Sequence, residues 1–170
     1  SLSRYTRKRL DRMGVQVRLR SPITHISATS VDIETETIPA GLVVWAAGVA
    51  ASPVGRLLDV PLDRAGRVQV NPDLSLTGAD DIYALGDLAI VQGKDGRPLP
   101  GLAQVAKQQG AYIGRPLFQR LRSGIRSKPF AFRNRGNVAI IGRHAAVFDL
   151  GWAQFTGFIA WVLWAIIHVY

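Results

Sequence analysis

Apolar and polar positions follow two rhythms along this chain, a helical one at the start and β-like ones after it. Leu2, Tyr5, Arg9 and Met13 recur at helical spacing with Leu10 beside them, which predicts a basic helix over 2–12 stopped by Gly14. Val15-Gln16-Val17-Arg18-Leu19 then alternates apolar and polar, the pattern of a half-buried strand. Residues 23–28 and 31–35 are two more short β-like runs, expected to form a hairpin through Thr29-Ser30. Residues 42–47 are continuously apolar, as in a strand buried on both faces of a parallel sheet. That run ends in Ala47-Gly48, small enough for a flat ligand or a second chain to lie against backbone. A core strand followed by an empty turn is the alternative.

Further on, residues 54–58 read as a short helical turn, 67–70 as a strand and 74–77 as extended chain. Residues 82–85 form a short apolar run, expected as a buried strand, which Gly86-Asp87 stops. After a polar loop over 92–101, a helix is expected to open near Leu102–Ala103 and run to about residue 121. Pro116 inside it removes a hydrogen bond at a cost of about 3 kcal/mol, so a kink or break is expected near Arg115. Residues 130–133 and 138–141, joined by the turn over 134–137, read as a β-hairpin, with a further strand over 145–150.

From Gly151 the character changes. Residues 153–167 make a 15-residue run whose only polar side chains are Gln154 and Thr156. A full membrane span needs about 20 residues. Three readings stand for this tail: an interfacial helix with Trp at the headgroup level, the front of a longer segment, or a buried core helix.

Charge and composition narrow the field. The formal net charge of +9 comes mostly from arginine, clustered near the start and in the second half, and such a surface attracts nucleic acid and anionic membrane alike. No zinc spacing, ribonucleoprotein motif or basic heptad accompanies it, so no nucleic-acid partner is expected. The absence of cysteine removes disulfides, thiolate metal sites and redox-active cysteine pairs, and three scattered histidines argue against a metal site. The chain opens on Ser1-Leu2-Ser3-Arg4, with no starting methionine and no signal-peptide core, which reads as an excised or processed fragment.

The densest chemistry sits at Gly86-Asp87 and the helix start after it. A glycine at a strand end lets backbone approach a ligand, and an acceptor-only carboxylate beside it suits hydroxyls. A helix N-terminus carries free N–H groups and partial positive charge, favouring an anionic or electron-rich edge. Gln104 and Gln108, four apart, share one face of that helix.

Tyr83-Ala84-Leu85-Gly86-Asp87-Leu88-Ala89 followed by Ala103-Gln104-Val105-Ala106-Lys107-Gln108-Gln109-Gly110 resembles the second flavin-binding segment of type II NADH:quinone oxidoreductases, members of the two-dinucleotide-domain flavoprotein group. Trp45-Ala46-Ala47-Gly48 is similar to their crossing from the nicotinamide domain back to the flavin domain. The helix, glycine and strands over 1–41 resemble the end of their NADH-binding domain, and Phe130-x-Phe132 with Gly136-Asn137-x-Ala139-x-Ile141-Gly142-Arg143 resembles their small C-terminal domain. The likeness covers nearly the whole chain.

That resemblance implies an α/β fold: a Rossmann-like sheet fragment of a two-dinucleotide-binding-domain flavoprotein, plus a small C-terminal β-hairpin and helix domain. It implies three parts: residues 1–41 ending an NADH-binding domain, 42–123 as the second half of an FAD-binding domain, and 124–170 as a C-terminal domain. It implies FAD as cofactor, NADH as substrate and a membrane quinone as acceptor, on the cytoplasmic face of the inner (plasma) membrane, with a homodimer as a further partner. Ala47, Gly48, Gly86, Asp87, Ala103, Gln104 and Val105 would contact the flavin, Gln104 and Gln108 the quinone, and His144 the quinone end. The membrane surface would be met through the tail from Trp152 to Tyr170. No Gly-x-Gly-x-x-Gly loop occurs in the chain, so the flavin site it holds is incomplete. Against this enzyme stand a membrane-docking or dimerisation module without turnover, another FAD/NAD(P)H reductase of the same fold group, and a charge-driven nucleic-acid binder.

Overall fold

The computed structural model describes residues 1–123 and 128–169. In chain order these form α1 (Leu2–Arg12), β1 (Ile23–Ile26), β2 (Ser30–Ile33), β3 (Glu36–Pro39), β4 (Val68–Gln69), β5 (Ser75–Leu76), β6 (Ala79–Tyr83), β7 (Ala89–Ile90), α2 (Ala103–Ser123), β8 (Asn137–Gly142), β9 (Ala145–Asp149), β10 (Gln154–Thr156) and α3 (Gly157–Val169). Short 3-10 turns cover Pro53–Leu57 and Gly86–Leu88. The chain makes two compact units, one of Ser1–Ala46 with Arg135–Tyr170, the other of Ala47–Asn134.

In the first unit, α1 ends as its sequence dictates. Gly14 takes φ +78, its N–H reaches the Asp11 carbonyl at 3.0 Å, and the Val15 N–H reaches Leu10 at 3.0 Å, so two orphan carbonyls are satisfied. Residues 15–19 follow this cap in no ladder, and Arg18 ties them to β3 through a two-pronged ion pair with Glu36. The expected half-buried face is not formed: Val15 and Leu19 are exposed and only Val17 is half-buried, because a strand needs an edge to pair with and none lies alongside among the described residues.

β1, β2 and β3 form an antiparallel meander with Ile26 opposite Val31 and Val31 opposite Ile38. The expected hairpin is present, its turn held by the Ser27 hydroxyl, which accepts from the Thr29 and Ser30 N–H groups. The third strand escaped the sequence because its turn contains no glycine; Glu34 itself adopts φ +54.

β10, β9 and β8 form the second meander, with Val138 opposite Phe148 and Phe155 opposite Phe148 on the other side. Ala145, Ala146 and Phe148 are buried along β9, and α3 covers Ala146 and Phe148 with its own buried Ala160. The hairpin is therefore β8–β9, turning at Arg143-His144, rather than the expected pairing of 130–133 with 138–141. The backbone of 130–133 is claimed elsewhere: the Phe130 N–H donates to Pro72 and the Arg133 N–H to Gln108 Oε1 at 3.0 Å. One face of α1 lies on this meander and on the start of α3, with the Met13 sulfur 3.3 Å from where a Cβ on Gly142 would stand and the Tyr5 hydroxyl 3.3 Å from that of Gly157.

In the second unit, β4 and β7 pair in parallel and β5 and β6 antiparallel, around a core of Val68, Leu74, Leu76, Ala84, Ala89 and Val91. Partly buried Tyr112 and Phe130 meet edge-on at 5.5 Å beside that core. β6 starts three residues earlier than the apolar run at 82–85 indicated, and Ile82 remains 43% exposed while Ala84 is buried. α2 runs unbroken through Pro116, contrary to the expected break, because a proline already at helical φ forfeits one hydrogen bond without ending the ladder on either side.

The largest departure is at 42–47. Instead of a strand buried on both faces, this segment is irregular, with Leu42 82% and Trp45 66% exposed. A continuous apolar run becomes a buried strand only with neighbours on both edges, and no described strand pairs with it. The tail likewise splits: its first residues form β10, and the 13-residue α3 is too short to cross a membrane; no described helix is long and apolar enough to do so.

Candidate functional site

In the second unit a cavity of about 270 Å³ opens where β6 gives way to the turn before β7. Gly86 makes that turn at φ +64, and a Cβ there would sit 3.5 Å from Ala106 on α2. Its N–H donates to Gln109 Oε1 at 2.7 Å, so the loop is tied to the second turn of the helix. Asp87 follows, and its Oδ1 lies 3.1 Å from where a Cβ on Gly101 would be. Two glycines thus give the carboxylate and the chain their space.

Gly48 and Val49 line the cavity from the end of the exposed apolar segment, and Val105 and Gln109 line it from one stripe of α2. The helix starts here: the Val105 and Ala106 N–H groups both reach the Leu102 carbonyl, at 2.9 and 3.2 Å. Arg67 also lines the cavity. Its guanidinium is held by Asp63 at 2.8 Å, while Asp63 accepts the Arg67 backbone N–H at 2.9 Å. That backbone bond first, and the guanidinium second, hold the Asp63 carboxyl below its ordinary range. The site offers an acceptor-only carboxylate, glycine-exposed backbone, a helix start and one anchored guanidinium, which suits a hydroxyl-bearing, partly anionic ligand. No group of residues that could hold a metal is found among the described residues.

Residues 1–110 match the sequence model of the pyridine nucleotide-disulphide oxidoreductases. The chain belongs to this family. It is 36% identical over 172 residues to the type II NADH:quinone oxidoreductase Ndh of Mycobacterium tuberculosis, covering 95% of this chain and 36% of the relative. The NdhA enzyme of the same organism is 35% identical over 175 residues, with the same coverage of 95% and 36%. This family member therefore spans about a third of the length of the curated relatives it matches. Among solved structures, NDH2 of Plasmodium falciparum in complex with NADH superimposes with a TM-score of 0.86 at 17% identity, covering 98% of this chain and 50% of that one, which establishes the shared fold.

Of the residues singled out from the sequence, the cavity brings together Gly48, Gly86, Asp87 and Val105. Ala47 and Ala103 stand next to it in sequence without lining it, as does Gln104. Gln108 turns elsewhere: its amide grips the Arg133 backbone, donating from Nε2 at 2.9 Å and accepting at Oε1 at 3.0 Å. His144, at φ +59 in the β8–β9 turn of the first unit, packs its ring edge-on against Trp161 at 4.9 Å. Sequence reasoning missed Gln109 and Arg67. The signal for Gln109 was present, because it shares a helical stripe with Val105 and Ile113 and so places an amide on the buried side.

Proposed function

We propose that this chain supplies the second half of an FAD site and the C-terminal part of a type II NADH:quinone oxidoreductase, passing electrons from NADH through FAD to a membrane quinone. The observation that carries it is the Asp87 carboxylate beside a positive-φ Gly86, facing Gly101 at the mouth of α2, in a chain 36% identical to the mycobacterial enzyme.

The residues present fit part of a flavin dinucleotide. The Gly86 and Gly101 cradle is one that a Cβ would fill or crowd, and the donor set matches hydroxyls and phosphate better than a metal. At about 270 Å³ the cavity falls below the roughly 300–1,000 Å³ of pockets for drug-sized ligands, so it seats a section of a dinucleotide. The remainder, with two glycine-rich phosphate loops, belongs to sequence outside this chain, and the division into 1–41, 42–123 and 124–170 follows from the same assignment.

When bound, the flavin supplies hydride acceptance from the nicotinamide and release of electrons to the quinone. Asp87 accepts hydrogen bonds from ribityl-type hydroxyls. The start of α2, at Ala103, Gln104 and Val105, would offer the positive end of a helix dipole to a bound flavin, worth about 0.3–1 kcal/mol to negative charge on it. Ala47 and Gly48 leave room for the flat ring. Gln104 donates to a quinone carbonyl; Gln108 can join it only by releasing the Arg133 backbone. His144 is a weaker candidate at the quinone end.

The protein docks peripherally on the cytoplasmic face of the membrane through its tail, where Trp152 is 84% exposed and Phe158, Ile159, Ile166 and Ile167 are exposed around α3. Docking or dimerisation without turnover is the competing function, and the same exposed residues favour it. Flavin content decides. Holoprotein with one flavin per chain should lose it on Asp87→Ala, which removes bonds worth about 1.5–3 kcal/mol and weakens binding tenfold or more. Stoichiometric flavin in Asp87→Ala would refute the assignment.

A further inference from the structure

Gly86, the residue before Asp87, is tied to a side chain 23 positions away. Among the described residues Gln109 is the one large polar side chain in the second unit's interior, 1% exposed, and it lies on the stripe of α2 that lines the cavity. Its Oε1 accepts the Gly86 N–H at 2.7 Å, at the residue where the chain leaves β6 in a left-handed conformation. Leaving this partly buried N–H without an acceptor is disfavoured, so the amide oxygen stabilises the turn.

Asp87 comes next in the chain, and on its far side Gly101 leaves its carboxylate only 3.1 Å of clearance. The turn is therefore held on one side by an amide, its carboxylate lies close over Gly101, and Asp87 lines the cavity. We infer that Gln109 is a positioning residue, which orders the Gly86–Leu88 turn so that Asp87 meets its ligand without rearrangement. This rests on the flavin assignment above. A preorganised acceptor binds more tightly than one that must be ordered on binding, because the ordering cost is met in folding.

The prediction separates acceptor chemistry from packing. Gln109→Met keeps length and volume but removes the oxygen; Gln109→Glu restores an acceptor at the same reach. In the holoenzyme, flavin dissociation constants and backbone amide exchange are measured for wild type and both variants. The expected result is flavin bound about 10- to 100-fold more weakly by Gln109→Met. Exchange at the Gly86 amide should rise with it, while the core Ala84 amide, bonded to Leu74 at 3.1 Å, stays protected. Gln109→Glu should recover most of both. Gln109→Met binding flavin as tightly as wild type overturns the inference, and so do equal losses in both variants or faster exchange at Gly86 and Ala84 together, which mark a plain core role. Wild-type protein that takes up no flavin overturns the assignment beneath it.

Discussion

The Asp87 carboxylate lies over Gly101, with Oδ1 3.1 Å from the position a Cβ would take. That clearance is tight enough that an alanine must displace the carboxylate by a few tenths of an ångström. Gly101→Ala should weaken flavin binding several-fold in the holoenzyme and leave the thermal midpoint nearly unchanged, since Gly101 is exposed. Flavin titration alongside a melting curve checks both halves.

Electron exit is tested at Gln104, half-buried in the first turn of α2. A buried amide donor contributes about 0.5–1.5 kcal/mol, so Gln104→Leu should slow reduction of a short-chain quinone by a modest factor and spare ferricyanide reduction. Parallel loss with both acceptors would place the residue with the flavin or the fold instead.

Gly136 and Gly14 separate space from backbone conformation. A Cβ at Gly136 would stand 2.8 Å from the Asp149 carbonyl oxygen and 2.9 Å from the Phe148 ring, at φ +96. Gly14, at φ +78, has nothing within 4 Å. Gly14→Ala should cost only the left-handed penalty of about 1–2 kcal/mol, whereas Gly136→Ala adds overpacking of about 1–3 kcal/mol. Denaturant midpoints of the two variants should fall in that order.

Membrane docking is tested without deleting the tail, because α3 covers buried Ala146 and Phe148 and its removal would open that core. Trp152→Ser with Ile159→Ser and Ile166→Ser alters exposed positions only. Flotation with anionic vesicles should fall by at least about tenfold, given the apolar area lost, while the fold persists. Unchanged flotation would assign membrane contact to another surface.

Acid stability should depend on Asp63. Its folded pKa is lowered, so its contribution is complete above the unfolded value of about 3.9 and is lost as pH falls through the lower folded one. Asp63→Asn should therefore flatten the decline in thermal midpoint below about pH 4. A decline as steep as wild type would show that other carboxylates govern it.

The sequence by itself determined what local chemistry controls. The helix over 2–12 and its Gly14 stop, the Gly86-Asp87 turn and the start of α2 at Ala103 are where the residues indicate. Each depends on backbone freedom or capping within a few positions. Tertiary structure decided what depends on partners. The run at 42–47 has the composition of a buried strand yet lies exposed, since no pattern within a strand specifies the edge it pairs with. Residues 130–133 have strand-like alternation, but Pro72 and Gln108 take their backbone groups, and β8 turns to β9 instead. Gln108 and Gln109 are adjacent and chemically identical; one holds the Arg133 backbone and the other the Gly86 turn. A helix rotates neighbouring residues by about 100°, so only the packing around α2 decides which amide faces the cavity.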